Sequence, residues 1–392
     1  MAPDTTAVQP RARLVHLDRL KIVLTAGVIA AHAAMSYGAA GTWLYEENSL
    51  SDALALVLSV LVGGGVMFVL GLFFLMSGML TTGPLQRRGP RQFLVSRLVR
   101  LGVPVLAYAL VVWPVLQWLV ERVRSGSTSS LVDFYRSEFS ATSWTSRGTG
   151  PLWFVAILLV VTVAWCLWRW RFPASPSTTP AGTTAALAAV AVAVGTFVVR
   201  TRFPIDSEQF LDLHVWIWPQ SLGLFVLGAV GAERGWISPV PRTVLRGCRW
   251  AVLGAVLLLA LLVALSQGPD AFRGGWHWEA AGMAVCEGAI SVSVSLLVLD
   301  WARRHVVARG RFERSLAESA YGAFVAQGPV LVLSALLLTS LDLAGDVKFA
   351  VLAVLGVAGS FACGWVVLVL VRALTGSGAD GGCPGRHTLR AS

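Results

Sequence analysis

The chain has 392 residues, 56% hydrophobic and 13% charged, with a mean hydropathy of +0.70. Soluble domains carry about twice that charged fraction, so composition excludes a soluble enzyme and leaves an integral membrane protein. The net charge of +10 does not imply a nucleic-acid partner. The cations lie in short clusters between long apolar runs, as orientation signals do.

Residues 1–19 are polar and Arg-bearing and read as a cytoplasmic segment. The apolar run after them lacks a small-residue cleavage site, so it reads as a retained signal-anchor. That first span, about 20–40, carries Lys21 and His32. Eleven residues is just over three helical turns, which sets both side chains on one face, about 16 Å apart along the axis. Ionisable groups are expensive in a bilayer. A packed, hydrogen-bonded imidazole and a catalytic one are both open.

A second span at 53–80 ends in GLFFLMSGML, and the basic stretch QRRGPRQFLVSRLVRLGVP leads into a third at 99–120. Arg97 and Arg100 are three apart and share a helical face where the chain re-enters the membrane. Anchoring to anionic headgroups and a bidentate phosphate clamp both account for them. The loop at about 121–150 is too short and polar to build a core.

Further spans are expected at 151–170, 183–200, 214–232, 248–266, 281–300, 320–340 and 348–372, ten in all. Asp206, Glu208, Asp212 and His214 form a polar patch with no specific chemistry. Trp276, His277, Trp278 and Glu279 suit interfacial anchoring or stacking against a sugar. Glu287, about six residues into the eighth span, needs a polar cavity, a proton or a partner. It is a candidate to orient an acceptor hydroxyl or to pair with His32, and a carboxyl hydrogen-bonded to a neighbouring helix explains it equally. The Gly-rich tail, 373–392, reads as disordered.

With the N-terminus inside, all but eight of the 31 basic residues fall in cytoplasmic segments, which sets both termini in the cytoplasm. The expected fold is therefore all-α: a polytopic bundle of about ten transmembrane helices in the plasma membrane, residues 20–372 forming one membrane domain. The five cysteines show neither a C-x-x-C pair nor metal-ligand spacing, and no resident cofactor or metal is expected. Tryptophans such as Trp43 cluster near span ends, as an interfacial belt does.

His32 titrates near the working pH and suits a general base for a hydroxyl nucleophile. Lys21, Arg97 and Arg100 would hold the phosphates of a nucleotide-bearing donor at the inner surface. A long, thin arm would carry a reactive carbonyl up to His32, and coenzyme A with its pantetheine arm has that shape.

The stretches LDRLKIVLTAGVIAAHA, FFLMSGML, FLVSRLVRLGVP, GPLWFVAILL, LFVLGAVGAERGW and SAYGAFVAQGPVLVL together resemble the integral-membrane acyltransferase-3 family, in the family's order over residues 14–340. The resemblance implies O-acylation of polysaccharides, other envelope glycans or small molecules, with an acyl group, usually acetyl, from cytoplasmic acyl-CoA. It assigns the family's essential first-span histidine to His32 and its R-x-x-R to Arg97 and Arg100. Two departures stand out. Lys21 replaces an arginine and loses its bidentate fork, and Gln327 replaces a histidine and has no proton to shuttle. The competing reading is a secondary transporter of a glycan or lipid-linked intermediate, although no repeated pair of broken helices is evident.

Overall fold

The computed structural model describes residues 15–140, 148–173, 179–207, 212–266, 268–305 and 310–374. The expectations for residues 1–14, for Glu208 and for the tail after Leu374 lie outside the described residues. The helices are α1 (Val15–Tyr37), α2 (Asp52–Val66), α3 (Val69–Arg97), α4 (Val103–Ala107), α5 (Trp113–Arg124), α6 (Leu131–Glu138) and α7 (Trp153–Arg171). They continue with α8 (Ala181–Arg200), α9 (Trp218–Glu233), α10 (Arg242–Leu265), α11 (Trp278–His305), α12 (Arg311–Leu338) and α13 (Gly345–Leu374). Two π-helical segments, Leu98–Gly102 and Tyr108–Val112, flank α4. No strand occurs among the described residues. Nine helical stretches among them are long and apolar enough to cross a bilayer. The protein is a polytopic, all-α membrane bundle.

The expected second and third spans differ from their helices. They lie in one stretch of 73 residues, Asp52–Arg124, which is broken at Gly89 (φ 74°, ψ 164°) between Pro84 and Pro90. Its first part, α2, has 15 residues, only about 22 Å of helix against about 30 Å of hydrocarbon. Ser51 bonds to Asp346 at the start of α13, and Met67 accepts a bond from Gln220 at the start of α9. Both ends of α2 therefore stay where α9 and α13 begin. The chain leaves that level along α3, which begins at Val69.

The π-helical segments follow from proline chemistry. Pro104 has no N–H for the carbonyl of Arg100, four residues back, and Pro114 has none for Leu110. Tyrosine hydroxyls make up the loss: Tyr321 of α12 donates to the Arg100 carbonyl at 3.3 Å, and Tyr135 of α6 donates to Leu110 at 3.2 Å. Freed backbone groups in a membrane helix need such partners. The polar 121–150 loop thus supplies a hydroxyl rather than a core.

Packing is closest where α3 crosses α9. A Cβ on Gly78 would lie 2.1 Å from the Phe225 carbonyl, and one on Gly228 would lie 2.1 Å from that of Leu75. Only glycine at both positions lets the two backbones meet this closely. Leu72, Leu75, Leu224 and Phe225 are fully buried around the crossing.

Cross-links sort the connections into two ends. Arg19 pairs with Glu313, Arg169 with Glu233 and Arg372 with Glu318 at one end. At the other, Glu47 pairs with Lys348, and Arg124 donates to the carbonyl of Glu46. Each pair joins segments that the sequence puts on the same side.

Candidate functional site

His32 lies in the last two turns of α1, and α1 runs unbroken from Lys21 to it, which keeps both on the expected face. Two contacts hold its ring and a third holds its backbone. Nδ1 lies 3.0 Å from Oε1 of Gln327 on α12. Trp43 stacks on the ring at 4.1 Å between centroids and 20° between planes. One turn on, Ser36 donates to the His32 backbone carbonyl at 3.0 Å. The residue remains partly exposed.

Trp43 comes from the 38–51 loop and is a packing partner of His32 rather than the interfacial anchor expected. The loop folds back over α1 at Gly38 and Gly41, whose φ values of 121° and 120° suit glycine alone. Glu47 fastens it, accepting from Tyr45 at 2.7 Å, Ser49 at 3.2 Å and Lys348 at 2.9 Å. Burial alone would raise the Glu47 carboxyl. Those hydrogen bonds and the Lys348 charge outweigh it and hold the group below the usual carboxylate range.

An aromatic wall continues from Trp43. Trp113 meets it edge-on at 6.1 Å, and Tyr108 stacks on Trp113 at 6.2 Å. The Tyr108 hydroxyl lies against Gly328, next to Gln327. Trp113 Nε1 and Asp212 Oδ2 both lie beside Gly148, and His214 stacks on Trp153 at 4.4 Å. Asp212 and His214 hold φ of 49° and 45°, a left-handed backbone that non-glycine residues adopt at some expense.

The candidate phosphate ligands are at the arginine-rich end. Arg97 packs over the Phe93 ring at 5.1 Å, and Arg100 is exposed. Among the described residues neither has a carboxylate partner. The π-helical segment beginning at Leu98 shifts the simple α phasing expected of the pair. Lys21 is not free in the same way, because its ammonium lies 3.4 Å from Asp18. α12 ties the two halves of the site together, with Tyr321 on the Arg100 carbonyl and Gln327 on His32.

Glu287 stands apart. It pairs with Arg200 at 2.6 Å, each 4% exposed, and joins α11 to α8. No contact joins it to His32. His277 is engaged locally, with Glu279 at 3.0 Å and the Gly274 carbonyl at 2.9 Å. Two cavities open elsewhere. One of about 190 Å³ is bounded by four arginines of α10 and α11, and one of about 420 Å³ lies between α7 and α9. Neither is lined by His32, Lys21, Arg97 or Arg100. Among the described residues, no group of three or more His, Cys, Asp or Glu is placed to hold a metal ion.

A family model for an acyltransferase domain, acyltransferase family 3, matches residues 14–369. The chain belongs to that family. Comparison with curated proteins and with solved structures returned no match. Membership makes the protein a membrane acyltransferase and displaces the transporter reading.

In this acyltransferase the Gln327 amide has one orientation. Its Nε2 donates to the Phe324 carbonyl at 3.0 Å, so Oε1 faces the imidazole, and an amide oxygen only accepts. His32 Nδ1 must then carry the hydrogen, which leaves the Nε2 lone pair as the basic site. Gln327 therefore supplies a tautomer lock for His32. Gln327 is fully buried. A lone Gln two residues before Pro329 carried no periodic or spacing signal that would pair it with His32.

Proposed function

We propose that the protein is an O-acyltransferase of the plasma membrane. It moves an acyl group, acetyl as the first candidate, from cytoplasmic acyl-CoA to a hydroxyl of a carbohydrate, envelope glycan or small-molecule acceptor. The observation that carries this reading is the His32–Gln327 hydrogen bond, which leaves Nε2 of His32 free to take a proton.

His32 Nε2 removes the acceptor hydroxyl proton as that oxygen attacks the thioester carbonyl. The tetrahedral intermediate collapses, the C–S bond breaks, and the thiolate takes the proton from the imidazolium. The products are the O-acyl ester and free coenzyme A thiol. Trp43 Nε1 and the Tyr108 hydroxyl are buried donors without a partner among the described residues, and they are the groups we assign to the developing oxyanion. Arg97 and Arg100 hold the donor phosphates, with Lys21 contributing charge. Of the two acidic or basic residues first considered for the chemistry, His32 acts on the acceptor and Glu287 holds Arg200.

The test is incorporation of label from acetyl-CoA into glycan and small-molecule fractions by membranes carrying the full chain. His32→Ala should reduce incorporation by about a hundredfold or more. Undiminished transfer by that variant removes the base assignment. Label that never depends on the wild-type chain removes acetyl-CoA as donor.

A further inference from the structure

The cavity of about 190 Å³ is lined by Arg242, Leu245, Arg246, Arg249 and Arg304. Arg242, Arg246 and Arg249 are spaced four and three apart, so they line one face of the first two turns of α10. Arg304 closes the cavity from α11 and is itself tied to Asp300 at 2.5 Å. Among the described residues the three α10 arginines have no carboxylate partner. Arg19 and Arg169, at the same end of the bundle, do.

Their position adds to the imbalance. The first turn of a helix already presents unpaired N–H groups and a partial positive charge. Three guanidinium groups within about two turns of that end raise one another's energy unless an anion sits among them. Several planar donor forks converging on one small space match a tetrahedral phosphate, with its multiple acceptor oxygens, better than a single carboxylate.

The surface beyond the cavity is apolar. Leu253, Leu257 and Leu261 continue the face at four-residue intervals, 47%, 62% and 54% exposed, with Val256 beside them. Trp250 and Trp301 are exposed at the level of the arginines, as indoles at a headgroup boundary are. A charged head site thus opens onto an unbroken hydrocarbon track.

We propose that this cavity binds an anionic phospholipid, with the phosphate among Arg242, Arg246, Arg249 and Arg304 and an acyl chain along Leu253 and Leu257 of α10. It shares no residue with the donor site assigned above and stands or falls separately. The full chain, purified in detergent, is titrated with dioleoyl-phosphatidylglycerol or dioleoyl-phosphatidylcholine, and retained lipid is counted by native mass spectrometry. The wild type should hold phosphatidylglycerol about tenfold or more tighter, the effect of one charge-assisted contact. Arg246→Gln/Arg249→Gln should lose that preference, while Arg87→Gln/Arg88→Gln, an equal charge loss elsewhere, keeps it.

Equal retention of the two lipids by the wild type would overturn the proposal without recourse to any variant. So would an equal loss in the control pair, or a preference that survives in Arg246→Gln/Arg249→Gln. Displacement of phosphatidylglycerol by millimolar inorganic phosphate would reduce the cavity to a simple anion site. Displacement by adenosine 3′,5′-bisphosphate would assign it to the acyl donor instead.

Discussion

His32 and Gln327 meet 3.0 Å apart across the contact of α1 with α12, and the glutamine is able only to accept because its nitrogen is committed to Phe324. Replacing Gln327 by Leu takes away the acceptor and frees the imidazole to change tautomer. We expect kcat to fall by about tenfold to a hundredfold, the worth of one hydrogen bond to a group that becomes charged, with the donor KM little changed. Gln327→Glu restores an acceptor and should recover part of the loss. Steady-state kinetics of the purified variants decide this. A KM effect alone would make Gln327 a packing residue.

Arg97 and Arg100 carry no ion pair among the described residues, so neither has a described carboxylate partner to abandon on binding phosphate. Arg97→Ala and Arg100→Ala should each raise the donor KM by about tenfold while kcat at saturation is held. Calorimetric titration with coenzyme A should show the same loss. Wild-type affinity in both variants would remove the clamp.

Tyr321 and Pro104 are coupled through the Arg100 carbonyl. Tyr321→Phe takes the hydroxyl donor from that carbonyl and should destabilise the bundle by about 1 kcal/mol. Pro104→Ala returns the missing backbone N–H, so the same substitution in that background should have less effect. Thermal unfolding in detergent of the four members of this cycle measures the coupling. Strict additivity would break the link between proline and tyrosine.

Glu47 gives a signed pH dependence. Its carboxyl lies below the usual range in the folded protein. The ionised group therefore stabilises the fold above its ordinary value of 4.5, and that contribution disappears as pH falls through the lower folded value. Wild type should have the higher Tm at about pH 7, and the two curves should converge as pH falls below the ordinary carboxylate value and protonates Glu47 in the folded protein as well. A gap of constant size across that interval would exclude the carboxylate as its source.

Arg200 and Glu287 make the most buried ion pair described, each 5% exposed in its side chain. Removing one member strands the other and should destabilise by about 3–5 kcal/mol, whereas replacing both by Met should be far milder. If the pair serves packing, Arg200→Met/Glu287→Met retains acyl transfer. A stable but inactive double variant would return Glu287 to the chemistry.

Much of this protein was legible from one chain of letters. Apolar runs of bilayer length predict helices that α7 and α8 match within a few residues, since the period and the length are local properties. The likeness in motif order named the family before any geometry. The eleven-residue spacing put Lys21 and His32 on one face because α1 has nothing to break it.

Contacts between distant segments were decided only by the tertiary structure. Hydropathy cannot distinguish α2, lying at one end of the bundle, from a helix that crosses. Trp43 reads as one indole of an interfacial belt until the 38–51 loop folds back onto His32. Gln327 reads as the loss of a histidine until α12 carries it to the imidazole, 295 residues away in sequence. Glu287 reads as a carboxylate in need of a cavity, a proton or a partner until α8 brings Arg200 beside it. Helix formation depends on neighbours within a turn or two, whereas a site in a membrane bundle depends on which buried polar groups find each other across helices.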